Sequence, residues 1–218
     1  LGSANPANDT ADFGWYTSRF PQIGGIPIVK KAGIFCLAIL FLFTLAGCVD
    51  LFISDEFKEI MEQEPSSIAE IWAIEDEYSF VYEMSFYIAK KCDYGSNLDA
   101  LSEAERIFYI TQTLEMEINN GGFWQFFFNT PENVFCETAA ALEAIGAEKT
   151  AALYREASAA FGEEMPDDRA SRIRMLQKVG MEEGYEILSP YDDAFYAYEE
   201  DLNALNYAFI QSNRDAFS

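Results

Sequence analysis

Ser102–Asn129 reads SEAERIFYITQTLEMEINNGGFWQFFFN, and this stretch decides the fold. Ser102 and Glu105 form an S-x-x-E capping box, in which each side chain satisfies the other's backbone N–H at a helix start. Ile107, Ile110, Leu114 and Ile118 follow at steps of three and four, the stripe of an amphipathic helix. Asn119-Asn120-Gly121-Gly122 then ends that helix, because Asn and Gly tolerate left-handed backbone. Phe123–Phe128 predicts a second, short helix whose aromatic side chains belong in a core.

Downstream, Thr130 is expected to cap a helix with Pro131 at its first position and Glu132 beside it, stopping at Gly146. Residues 147–161 and 167–179 predict two more helices, closed by Gly162 and Gly180. Phe195, Tyr198, Leu202, Leu205 and Phe209 predict a last helix over 192–212. Upstream, Ser54-Asp55-Glu56 opens a helix over 54–63 that Pro65 stops. Ile68, Ile71, Trp72, Tyr78, Val81, Tyr82 and Phe86 predict one continuous helix from Ser67 to about Cys92. No segment alternates with the two-residue period of a strand. The expected fold is therefore all-α, a compact single domain of seven or eight short helices.

The chain has 218 residues, half of them hydrophobic, with 37 acidic and 14 basic side chains and a net charge of −23. That much apolar surface supports a packed core despite the charge. The charge repels nucleic acid, so a partner is expected to be a protein with a basic surface, with no direct nucleic-acid binding. Histidine is absent, which removes Ser-His-Asp and Cys-His catalysis and His-ligated zinc. Neither a Walker loop nor a G-x-G-x-x-G motif occurs. No catalytic residue, metal site or cofactor is expected.

Val29–Cys48 reads VKKAGIFCLAILFLFTLAGC. Two lysines precede an apolar run from Ala32 to Ala46, which falls short of the roughly 20 residues of a spanning helix and fits an export signal. Leu45-Ala46-Gly47-Cys48 resembles the bacterial lipoprotein cleavage box, which implies cleavage before Cys48, its lipidation, and an extracytoplasmic membrane anchor. Residues 1–28 fit no native element and are expected to be a non-native or disordered leader. The acidic helical domain then covers 48–218, with 35 acids and 11 bases. Cys92 and Cys136 remain, as a disulfide or as two buried thiols.

Glu115–Asn129 resembles the signature of a helical family, mostly a domain of unknown function, whose best understood members are small acidic DNA-mimic proteins. The similarity extends through Ala141–Ala147 and Tyr191–Tyr196 and covers roughly 101–209. The resemblance implies an acidic, dimeric module whose carboxylates stand in for phosphates on the DNA-binding surface of a transcription factor. A lipoprotein signal departs from that pattern, since an exported protein does not meet a cytosolic repressor.

Candidate acidic surfaces are Glu56, Glu59 and Glu62; Glu70, Asp76 and Glu77; Asp99 with Glu103; and Glu199, Glu200 and Asp201. Within the motif, Glu117, Asn119, Asn120, Gly121, Gly122, Phe123, Gln125 and Asn129 are candidates for binding. The expected structural role of Gln125 and Asn129 is a buried hydrogen-bond network with Glu117. Arg169, Arg172, Arg174 and Lys178 form the one basic cluster, expected in internal ion pairs. Three functions follow: a lipid-anchored, non-enzymatic module docking a basic partner; a cytosolic DNA mimic blocking a DNA-binding protein; and a small-ligand binder or enzyme around the NNGGFWQ motif.

Overall fold

The computed structural model describes residues 67–218. The predicted helix over 54–63, with Glu56, Glu59 and Glu62, lies outside the described residues, as do Cys48, the signal over 29–47 and the leader over 1–28. The described chain is all-α, with eight helices and no strand among the described residues. They are α1 (Ile68–Ile71), α2 (Glu77–Lys91), α3 (Glu103–Asn129), α4 (Glu132–Ala144), α5 (Glu148–Ser158), α6 (Arg169–Val179), α7 (Met181–Tyr196) and α8 (Leu202–Ser212). Short 3-10 turns at Leu98–Ala100 and Arg214–Ala216 precede α3 and follow α8.

α3 is the central element, packed on α4, α7, α6, α2 and α8. Its capping box forms as the sequence predicts: the Ser102 hydroxyl accepts from Glu105 N–H, and the Glu105 carboxylate accepts from Ser102 N–H at 2.9 Å. Ile110, Leu114 and Ile118 are buried along one stripe, while Ile107 is partly covered. At Gly121 and Gly122 the backbone leaves the helix, so α3 consists of two helices meeting at a kink. The first half reaches a core formed by α1, α2, α8 and Phe217; the aromatic half is the centre of a larger core formed with α4 to α7.

Three expectations are corrected. The helix from Ser67 breaks at Trp72–Asp76, because Asp76 accepts from Ser79 N–H at 2.8 Å and starts α2 as a new N-cap. Pro131, not Thr130, occupies the N-cap of α4, and the Thr130 hydroxyl donates back to the Phe126 carbonyl. The helix over 192–212 is two helices: α7 begins at Met181, and a turn with Tyr198 at φ 46° separates it from α8. Cys92 and Cys136 are both free, the first buried and the second exposed. Among the described residues, no helix is long and apolar enough to cross a membrane.

Candidate interaction surface

The NNGG turn works as a joint that aims Phe123, Phe126 and Phe127 into the core. Gly122 adopts φ 70° and ψ −173°, a region open almost solely to glycine. A Cβ there would stand 2.5 Å from the Asp192 carboxylate. That carboxylate accepts the Phe123 N–H at 2.7 Å, placing negative charge at the start of the aromatic helix, where the unpaired N–H groups and the helix dipole favour it. Burial nevertheless raises the Asp192 carboxyl to about 6, against that hydrogen bond.

The other end of the aromatic helix is held by cations. Arg172, fully buried, donates to the carbonyls of Phe127, Thr130, Pro166 and Asp167, and its guanidinium lies 4.1 Å from the centre of the Phe135 ring. Arg169 donates to the Phe128 carbonyl at 3.1 Å. Two members of the basic cluster therefore bind backbone rather than the expected acids, and they neutralise the negative end of a helix. Arg174 lies at the edge of an ion pair with Asp168, 3.9 Å away.

Glu117, Gln125 and Asn129 come together across the kink. Both amides donate to Glu117 Oε2 at 2.9 Å, forming the predicted network. Burial pushes the Glu117 carboxyl up, opposed by the two amides and by Arg169. Asn119 donates to the Tyr198 hydroxyl at 2.6 Å, which in turn meets Glu115 at 3.2 Å. Asn120 and Gly121 are half-buried at the joint, and a Cβ on Gly121 would collide with Gln125. Hydrogen bonds among the motif residues thus link the two helices across the kink.

The carboxylates divide into two populations. Glu70 closes the capping box of α1, and Asp76 caps α2, so with Glu77 they straddle a break and share no helix face. Glu199, Glu200 and Asp201 sit in the turn between α7 and α8. Glu200 accepts the N–H groups of Lys149 and Thr150 at the start of α5, Asp201 caps α8, and Glu199 pairs with Lys149 at 3.1 Å. Burial works against the Glu200 charge, but those N–H groups hold its carboxyl below the usual range. Asp99 and Glu103 are exposed, as are Glu163, Glu164, Glu182 and Glu183.

An outward row stands elsewhere, on α7. Glu182, Glu186 and Asp193 are four and seven residues apart and share one exposed helix face. They span about 16 Å of axis, over which one strand of duplex DNA would place about five phosphates. Glu183 stands beside them, and these four enter no ion pair among the described residues. α5, packed against α7, adds exposed Glu148 and Glu156. Over residues 67–218, 29 carboxylates face 10 cations.

A family model described as DMP19-like protein matches residues 99–213. The chain belongs to the DMP19-like family. No curated protein and no solved structure matches it. The DMP19-like span runs from the 3-10 turn before α3 to just past α8, and so takes in the NNGG joint, Asp192, Arg172 and the α7 row. Of these, Arg172 and Asp192 as holders of the aromatic helix, and the α7 row, were not anticipated. The first two act on backbone 45 and 69 residues away, which leaves no local pattern. The row stands on a helix whose start at Met181 the sequence pattern did not reveal.

Proposed function

We propose that this protein acts without catalysis, as a DNA-mimic-type module that docks its carboxylates on the basic, DNA-binding surface of a protein partner. The observation that carries this reading is the row Glu182, Glu186 and Asp193, exposed and in no ion pair among the described residues, on a chain of net charge −23 that belongs to the DMP19-like family. Acidic side chains with no internal cation are free to take the place of phosphates, and release of the partner's own counterions would favour the complex. The family favours the cytosolic form of the hypothesis over the lipid-anchored one.

The test is competition. The protein is immobilised, cytosolic extract is passed over it at low salt, and retained proteins are eluted with rising salt and identified. The expected result is a DNA-binding protein whose affinity falls steeply with salt and which duplex DNA displaces. A partner whose affinity is flat in salt and indifferent to duplex DNA overturns the reading.

The Leu45–Cys48 box supports a second version, in which lipid on Cys48 holds the same surface outside the cytosol. Fractionation of cells expressing the native chain and Cys48→Ala separates the two. Membrane retention that depends on Cys48 moves the partner search to the envelope.

A further inference from the structure

A cavity of about 400 Å³ opens between α2 and α3, within the range of small-molecule pockets. Its floor is the α3 stripe Tyr109, Gln112 and Met116, at steps of three and four, and its wall is the α2 side around Tyr82 and Ser85. Glu115 and Glu117 lie on the two flanks of that stripe, on either side of Met116. Among the described residues, two carboxylates line the cavity and no lysine or arginine does. Residues two apart on a helix point in different directions, so these two do not converge on one small ion. They suit instead an elongated molecule with positive charge at both ends and an apolar middle over Met116. Tyrosine rings in the lining favour cations near their faces, and apolar walls focus the negative field of the carboxylates. Glu117 accepts both amides on Oε2, and a carboxylate has about four acceptor sites, so it retains capacity for an ammonium group.

We propose that the cavity between α2 and α3 is a binding site for an aliphatic di- or polyamine, with its ammonium groups at Glu115 and Glu117 and its methylenes over Met116. The site is separate from the α7 row and does not depend on the docking function.

Methionine-methyl NMR tests it, because Met116 reports the cavity while Met181, exposed on α7, reports loose association with the acidic surface. Cadaverine and spermidine should shift the Met116 methyl saturably and leave Met181 nearly unmoved. Butylamine, with one charge, should bind at least tenfold more weakly, and 1,5-pentanediol should not bind. Glu115→Gln should weaken cadaverine about tenfold, whereas Glu182→Gln with Glu186→Gln should change nothing. Glu117→Gln should act like Glu115→Gln; if it fails to fold by circular dichroism, Ser85→Trp, which fills the wall, should abolish the shift instead. Parallel, unsaturated shifts of Met116 and Met181, equal binding of the diol, or equal binding of butylamine each overturns the proposal.

Discussion

Asp192 and Asp193 are neighbours on α7 with opposite surroundings. Asp192 turns inward, lies against Gly122 and takes the Phe123 N–H. Asp193 turns outward and completes a row with Glu182 and Glu186. One step of about 100° along a helix separates a carboxyl bonded to the fold's backbone from one that faces solvent. The same division runs through the molecule: Arg172, Glu117 and Glu200 hydrogen-bond to backbone and amide groups, while the α7 row is exposed and enters no ion pair among the described residues. Inward charges should therefore govern stability and outward ones binding.

The comparison breaks most readily at Arg172. Removing a buried guanidinium that serves four carbonyls leaves acceptors unsatisfied and a void beside Phe135. Arg172→Ala should cost about 3–5 kcal/mol in chemical denaturation. Arg172→Lys should recover little of it, because one ammonium cannot reproduce a planar fork. A loss below about 1 kcal/mol would show that the aromatic helix does not depend on its cationic end.

Gly122→Ala should follow, with a loss of about 1–3 kcal/mol from backbone strain and the encounter with Asp192. Combining it with Asp192→Ala tests the cause. If the collision with the carboxylate contributes, the double variant loses less than the sum of the singles; simple additivity would leave backbone strain as the whole effect.

Asp192→Asn sharpens the contrast with Asp193. Burial raises the Asp192 carboxyl to about 6 in the fold, above the roughly 3.9 of an unfolded aspartate. The folded state thus holds the proton more tightly. The stability this contributes is complete below about pH 4 and is lost as pH rises through about 6. Asparagine is neutral throughout, so the melting temperature of Asp192→Asn relative to the native chain should rise between pH 4 and pH 7. Asp193→Asn removes the same charge from an exposed site and should show a smaller change. Equal pH responses in the two variants would contradict the inward placement of Asp192.

How far the sequence revealed these elements depends on the range of the forces. The capping box, the Ile107–Ile118 stripe and the NNGG stop act within a few residues, and α3 with its kink follows from them. The break before Asp76 was hidden because Ile71, Trp72, Tyr78 and Val81 keep a helical rhythm across it, although Asp76 and Ser79 carry the cap. α7 was hidden by Gly184 and Pro190, both poor interior helix residues. Tertiary packing overrides that preference at Gly184, where any Cβ would strike the Trp124 ring. Within the candidate site, the Glu117 amide network was legible because its members share one motif. Glu199, Glu200 and Asp201 read as an acidic surface, but the N-terminus of α5, distant in sequence, draws Glu200 inward.

The smallest effect on stability, and the most informative for function, belongs to the outward row. Glu182→Gln, Glu186→Gln and Asp193→Asn together remove three exposed charges that enter no ion pair among the described residues. Each substitution should leave stability within about 0.5 kcal/mol. Any change should be a slight rise, since the native chain carries uncompensated charge of one sign. For a partner that reads the row as phosphates, affinity should fall and the salt dependence of binding should flatten together, because both derive from the same charges. Glu199→Gln removes a charge already paired with Lys149 and serves as the control, with little effect on either quantity. If the triple variant binds as tightly as the native chain, with an unchanged salt slope, the docking face lies on another side of the molecule. If Glu199→Gln matches the triple variant, total charge rather than the α7 geometry governs the interaction.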